Sequence, residues 1–157
     1  MAELKNILLV EDNPKDLELT LEALERSQLA NDVVTARDGA EALDWLFCRG
    51  PHAGRDTGDP AVVLLDLKLP KIDGLEVLER IKSNDELRHV PVVMLTASRE
   101  ESDLVRSYDL GVNAFVVKPV AFHQFFQAIK DLGMFWAILN EPRPPRPRPG
   151  SMKVIEA

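Results

Sequence analysis

A chain of 157 residues, 45% hydrophobic and 29% charged, suits one compact domain with a sizeable core. Its net charge of -7 argues against a general binder of nucleic acid or of anionic membrane surfaces, and suits a protein that gathers carboxylates around a cation. Cys48 is the only cysteine, which excludes an intrachain disulfide and a cysteine-based zinc cluster. No apolar run is long enough for a bilayer, and the N-terminus lacks a secretory pattern, so a cytoplasmic location is expected.

In chain order, Lys5–Val10 reads as a short buried strand ending at Glu11-Asp12. Asn13-Pro14 then starts a helix that runs to about Ser27, with Leu17, Leu21 and Leu24 at helical spacing. Val33–Ala36 is a second strand. Asp38-Gly39-Ala40-Glu41 has the form of a capping box and opens a helix that buries Leu43, Leu46 and Phe47. The Gly- and Pro-rich stretch from Cys48 to Pro60 is a surface loop longer than most. Ala61-Val62-Val63-Leu64-Leu65 forms the central strand, apolar throughout as in a parallel sheet covered on both faces, and it ends on Asp66.

A helix from about Gly74 to Ser83 follows, with Leu75, Leu78 and Ile81 on one face. Val90–Thr96 is the fourth strand, Ser98–Leu110 a more polar helix closed by Gly111, and Ala114–Lys118 a fifth strand stopped by Pro119. A last helix spans about Ala121 to Leu139. Strict alternation of strands and helices predicts an α/β domain, doubly wound, with a parallel sheet between two helical layers. That domain is expected over residues 4–140. Residues 141–157 are a Pro/Arg-rich arm, extended or disordered and too poor in apolar side chains to fold alone.

Glu11, Asp12, Asp66, Thr96 and Lys118 all stand at carboxyl ends of these strands, which a parallel sheet presents on one rim. Packed carboxylates repel, so at least one pKa must rise unless a cation sits among them. Oxygen ligands of this kind suit Mg²⁺ completed by a phosphoryl oxygen. Thr96 can donate to a second phosphoryl oxygen and Lys118 can neutralise a third. The array describes a phosphoryl-transfer site with Asp66 as nucleophile. Taken singly, each residue also has a plainer role. Glu11 and Asp12 could cap the first helix and Thr96 the fourth, Lys118 could be a solvated loop lysine, and Phe115 could be core. His52, His89 and His123 have neither metal-ligand nor triad spacing.

Together these residues resemble a known family, the receiver domains of two-component response regulators. The matching motifs are Glu11-Asp12, Asp66 followed by Leu69-Pro70 and Asp73-Gly74, Thr96-Ala97, and Lys118-Pro119, over roughly residues 4–139. The resemblance implies a flavodoxin-like five-stranded parallel sheet in the order 2-1-3-4-5 with five helices. It implies that Asp66 takes a phosphoryl group from a phosphohistidine on a partner histidine kinase. Asp12, Asp66 and the backbone carbonyl of Lys68 would hold Mg²⁺, with Glu11 assisting through water, while Thr96 and Lys118 read the phosphoryl group. It also implies a cis Lys118-Pro119 peptide and a switch pair, Thr96 and Phe115, in which Phe115 turns inward as Thr96 moves toward phosphate.

Such a protein is a phosphoacceptor and not a turnover enzyme, although it assists its own phosphorylation and dephosphorylation. With nothing foldable after the fifth helix, a stand-alone receiver is expected. Its output would be a phosphorylation-dependent surface on the fourth helix, fifth strand and fifth helix. The run Ile7–Pro14, the long loop at Cys48–Pro60 and the late Phe135-Trp136 pair are similar to the small receivers paired with bacterial phytochrome kinases. That implies a light-regulated kinase partner and a homodimer. Two readings of Phe135 and Trp136 stay open, a dimer seam and completion of the core.

Three rival functions are weighed against this. A haloacid-dehalogenase-type phosphatase needs a second Asp two residues past the nucleophile, where this chain has Lys68. A flavin-binding flavodoxin needs phosphate donors after the first strand, where this chain has Glu-Asp-Asn-Pro. A docking-only receiver has no use for the acceptor residues, and all of them are present.

Overall fold

The computed structural model describes residues 6–26, 33–55, 58–121, 123, 124 and 127, and the backbone of 153–155. Ile7–Val10 forms β1, Pro14–Arg26 α1, Val33–Ala36 β2 and Gly39–Leu46 α2. Val62–Asp66 is β3, Gly74–Ser83 α3, Val92–Thr96 β4, Arg99–Ser107 α4 and Ala114–Val117 β5. A further strand, β6, covers Lys153–Ile155. All pairings are parallel, in the spatial order β2-β1-β3-β4-β5-β6. The expected order 2-1-3-4-5 therefore holds, and the arm adds a sixth strand that its Pro- and Arg-rich composition concealed. Two β-branched residues in Lys153-Val154-Ile155 sit where the open edge of β5 offers unpaired backbone groups.

Alternation along each strand divides the core into two layers. Leu8, Val10, Val63, Leu65, Val92, Met94 and Phe115 face α2, α3 and α4, where they meet Leu43, Leu78, Ile81 and Val105. Ile7, Leu9, Val62, Leu64, Val93, Leu95 and Val116 face the other way, toward Ala23 and Leu24 of α1. Because β3 lies in the middle, Val62–Leu65 are wholly buried. At about 1.5–3 kcal/mol per aliphatic side chain, that burial holds the strand in place even though it ends on a carboxylate.

Several element ends differ from expectation. β4 starts at Val92, because Pro91 has no amide to give the ladder; its carbonyl accepts from Val63 N instead. α4 stops at Ser107, and Asp109 takes a left-handed φ of 51° before Gly111 does so at 80°. Phe47 is only half-buried at the end of α2, where Trp45, 4% exposed, supplies the core contact. The long loop is organised by Arg55, whose guanidinium lies 3.9 Å from the Trp45 ring centroid and donates to Trp45 O, with a 3-10 turn at Gly50–His52. The helix expected over Ala121–Leu139, with Phe135 and Trp136, falls mostly outside the described residues; His123, Gln124 and Gln127 are helical.

Candidate functional site

The helices that follow the strands are capped by residues other than those on the rim. Asn13 Oδ1 accepts from Lys15 N and Asp16 N at the start of α1, and Asp73 Oδ1 accepts from Glu76 N at the start of α3. Ser98 Oγ accepts from Glu101 N at the start of α4. Capping therefore does not account for Asp12 or Thr96.

Just past β1 stands Glu11, 1% exposed, whose amide extends the ladder to Ala36 O. β3 ends on Asp66, 4% exposed. Just past β5, Lys118 donates its amide to Thr96 O, and its peptide to Pro119 is cis, as the resemblance implied. These ends bring carboxylate oxygens of Glu11, Asp12 and Asp66 within 4.8 Å of one another. Asp12 is exposed and the other two are buried, so the cluster opens to solvent on one side. Lys118 Nζ donates to Glu11 Oε1 and Asp16 Oδ2 at 3.0 Å each and to Asp66 Oδ2 at 3.2 Å. A cleft of about 490 Å³, lined by Asp12, Leu67, Lys68, Leu69, Pro70 and Asp73, adjoins the cluster.

The charges do not balance. Burial, together with the hydrogen bond and charge of Asp66, pushes the Glu11 carboxyl from 4.5 up to about 7, against the opposing pull of Lys118. Burial works against the Lys118 ammonium, but Asp16 and Glu11, with the charge of Asp66, outweigh it and hold its pKa above the usual lysine range. A set of hard oxygen donors with surplus negative charge and one solvent-facing side fits a small divalent cation that keeps part of its water shell.

The loop after β3 is held against the strand end by close backbone packing. A Cβ on Gly74 would meet the carbonyl oxygen of Asp66, and Gly74 N donates to Leu67 O at 2.9 Å. That packing requires glycine. On the far side of the loop, Gly39 of α2 lies so close that a Cβ there would meet Ile72 O.

Glu11, Asp12, Asp66 and Lys118 thus come together. Thr96 stands at the end of the neighbouring strand, but its Oγ1 lies 2.9 Å from Ser102 Oγ on α4. Lys68, two residues past Asp66, sends its ammonium to Glu101 Oε2 at 3.2 Å. Phe115 is 0% exposed, with the Arg106 guanidinium 5.7 Å from its ring centroid; the inward position expected only on switching is the one it occupies here. Asp16, Glu101 and Ser102 were not foreseen as site residues. Ser98-x-x-Glu101 has the spacing of a capping box and could have pointed to Glu101. Asp16 reads from sequence only as a first-turn acid, because its contact with Lys118 spans 102 residues.

Known proteins agree with this geometry. The family model described as "Response regulator receiver domain" matches residues 7–130. The response regulator Rcp1 of Synechocystis sp. is 39% identical over 132 residues, covering 84% of this chain and 88% of that protein. The structure of the bacteriophytochrome response regulator AtBRR is 74% identical with a TM-score of 0.83, covering 89% of this chain and 100% of that one. Bacteriophytochrome response regulator RtBRR is 64% identical with a TM-score of 0.84, covering 91% and 86%. The Mn²⁺-bound form of Rcp1 is 38% identical with a TM-score of 0.70, covering 89% and 99%. A strand-end acidic cluster on a doubly wound sheet and a family match over most of its length lead to one conclusion: the chain belongs to the response-regulator receiver family, whose members are phosphoacceptor signalling proteins.

Proposed function

We propose that Asp66 is the phosphoacceptor and that the reaction depends on Mg²⁺. The observation that carries this reading is the buried Asp66 carboxylate, hydrogen-bonded by Lys118 Nζ and sharing its pocket with Glu11 and Asp12. In the transfer, an Asp66 oxygen forms a bond to phosphorus as the phosphorus–nitrogen bond of a phosphohistidine on the kinase breaks, and the imidazole leaves with the electron pair. Asp12, Asp66 and the Lys68 carbonyl would hold Mg²⁺, with Glu11 through water. The ion supplies charge neutralisation on the phosphoryl oxygens. Lys118 stays charged because its carboxylate partners stabilise the ammonium, so it can follow the negative charge from Asp66 onto the phosphoryl group. Thr96 serves as a hydroxyl donor to that group once it leaves Ser102.

The likeness to AtBRR and RtBRR, both described as bacteriophytochrome response regulators, supports a bacterial phytochrome histidine kinase as the cytoplasmic partner. We infer a homodimer from Phe135 and Trp136; Trp136→Ala should then yield monomers in light scattering. A phosphatase reading is disfavoured because Lys68, where a general acid would stand, is paired with Glu101. The test of the main reading is incubation with acetyl phosphate and Mg²⁺, which should add one alkali-labile, acid-stable phosphoryl group. Asp66→Asn should abolish it, and labelling that survives this change would place the acceptor elsewhere.

A further inference from the structure

Three hydrogen-bond donors on the Asp66 rim are committed to the first turn of α4. Glu101 takes two of them: Oε1 accepts from Ala97 N at 2.9 Å, and Oε2 pairs with Lys68 Nζ at 3.2 Å. Ser102 takes the third, the Thr96 hydroxyl, at 2.9 Å. Ser102 Oγ also lies 3.4 Å from Ser98 O, and in the shorter contact either hydroxyl can donate, so the Thr96 side chain is engaged by α4 in both cases. A reciprocal capping box would direct Glu101 to the amide of Ser98; here it reaches one residue further back, to Ala97 beside the rim threonine. The Glu101 carboxylate is 20% exposed but the Lys68 side chain is 80% exposed, so solvent screens their ion pair and the Ala97 amide is the firmer of the two contacts. Glu101 also feels the Lys118 charge, which adds to the effect of the Ala97 amide and of Lys68 in holding its pKa below the usual carboxylate range.

We propose that Glu101 is a positioning residue that withholds the Ala97 amide and the Lys68 ammonium from a phosphoryl group on Asp66. This rests on Asp66 being the phosphoacceptor. A carboxylate and a phosphoryl group use the same donors, and one donor proton cannot serve both at full strength. Glu101 therefore competes with the phosphoryl group, and its release loosens the first turn of α4 from the β3–α3 loop. Ser102 acts in the same sense on Thr96.

The experiment is a beryllofluoride titration at fixed Mg²⁺ followed by fluorine NMR, on the full chain. Glu101→Gln keeps an acceptor for Ala97 but loses the charge that holds Lys68; Glu101→Ala releases both donors. Affinity should rise about threefold for Glu101→Gln and about tenfold for Glu101→Ala. Glu100→Gln removes the same charge one residue away and should change affinity by less than twofold, which separates donor release from general electrostatics. In a Lys68→Met background the Glu101→Gln gain should vanish. Affinity in Glu101→Ala no higher than in Glu100→Gln would overturn the proposal and leave Glu101 a helix cap. Wild-type protein that binds no beryllofluoride with Mg²⁺ present would instead remove the phosphoacceptor reading, and this inference with it.

Discussion

Lys118 Nζ lies 3.0 Å from Glu11 Oε1, a contact that joins positions 107 residues apart and links the carboxyl ends of β1 and β5. The same ammonium holds Asp16 and Asp66, so its loss leaves carboxylates gathered around no cation. Breaking a buried ion pair commonly costs 3–5 kcal/mol. Lys118 is 17% exposed and Glu11, with its raised pKa, can take up a proton, so about 2 kcal/mol is expected for Lys118→Met in EDTA. Mg²⁺ should restore at least half of that, because a divalent ion replaces the missing charge. Urea unfolding with and without Mg²⁺ measures both effects, and equal midpoints for variant and wild type in EDTA would contradict them.

Glu11 gives the metal-free protein an unusual pH dependence. Its folded-state pKa near 7 is above the unfolded value of 4.5, so the native state binds the proton more tightly. Its contribution is fully present below about pH 4.5 and is lost as pH rises through 7, a change on the order of 3 kcal/mol. Other carboxylates act in the opposite sense; Glu101, held down by the Ala97 amide, is one. The measurable quantity is therefore the difference between wild type and Glu11→Gln. In EDTA that difference should shift against the wild type between pH 5 and pH 8, and a flat difference would remove the assigned cause.

Much of this site was legible because rim chemistry in a parallel sheet follows from where strands end. Asp66 stands directly after five apolar residues, and Lys118 directly before a proline, so their positions survive an error of one or two residues in either strand. What was hidden depends on side-chain direction. Thr96 could be placed at the end of β4, but nothing in Leu-Thr-Ala-Ser says that its hydroxyl turns toward Ser102. Asp16 and Glu101 looked like ordinary first-turn acids, which most helices carry. β6 was missed because three residues beyond a proline-rich stretch carry almost no periodicity, and only the open edge of β5 gives them a partner.

Gly74 tests the packing of the β3–α3 loop. A methyl group there would meet the carbonyl oxygens of Asp66 and Leu67, both backbone atoms that cannot rotate away. Gly74→Ala should cost about 1–3 kcal/mol and slow labelling of Asp66, since the loop must lift off the strand end. Gly54→Ala is the control: nothing lies within 4 Å of a Cβ there, and stability should move by less than about 0.5 kcal/mol. Calorimetry of the two variants side by side decides the matter, and similar losses would refute the local account.

The opposite end of the sheet offers a stability lesion that spares the chemistry. Lys82 Nζ on α3 donates to Arg88 O, Val90 O and Asn113 Oδ1 at 3.2, 2.8 and 3.0 Å, and Asn113 Oδ1 also accepts from Val92 N at 2.8 Å. One ammonium therefore ties α3 to the start of β4 and to the residue before β5. These are amino-terminal strand ends, a full strand length from the Asp66 rim. Lys82→Met keeps the apolar stem and leaves three acceptors short of a donor, at an expected cost of about 2–3 kcal/mol. Lys82→Arg should not recover it, because a planar guanidinium cannot present three donors at the same compact point. At a temperature where both variants remain folded, acetyl phosphate should label Asp66 at the wild-type rate. A large loss of labelling with unchanged unfolding would show that this clamp acts on the rim, contrary to its place in the fold.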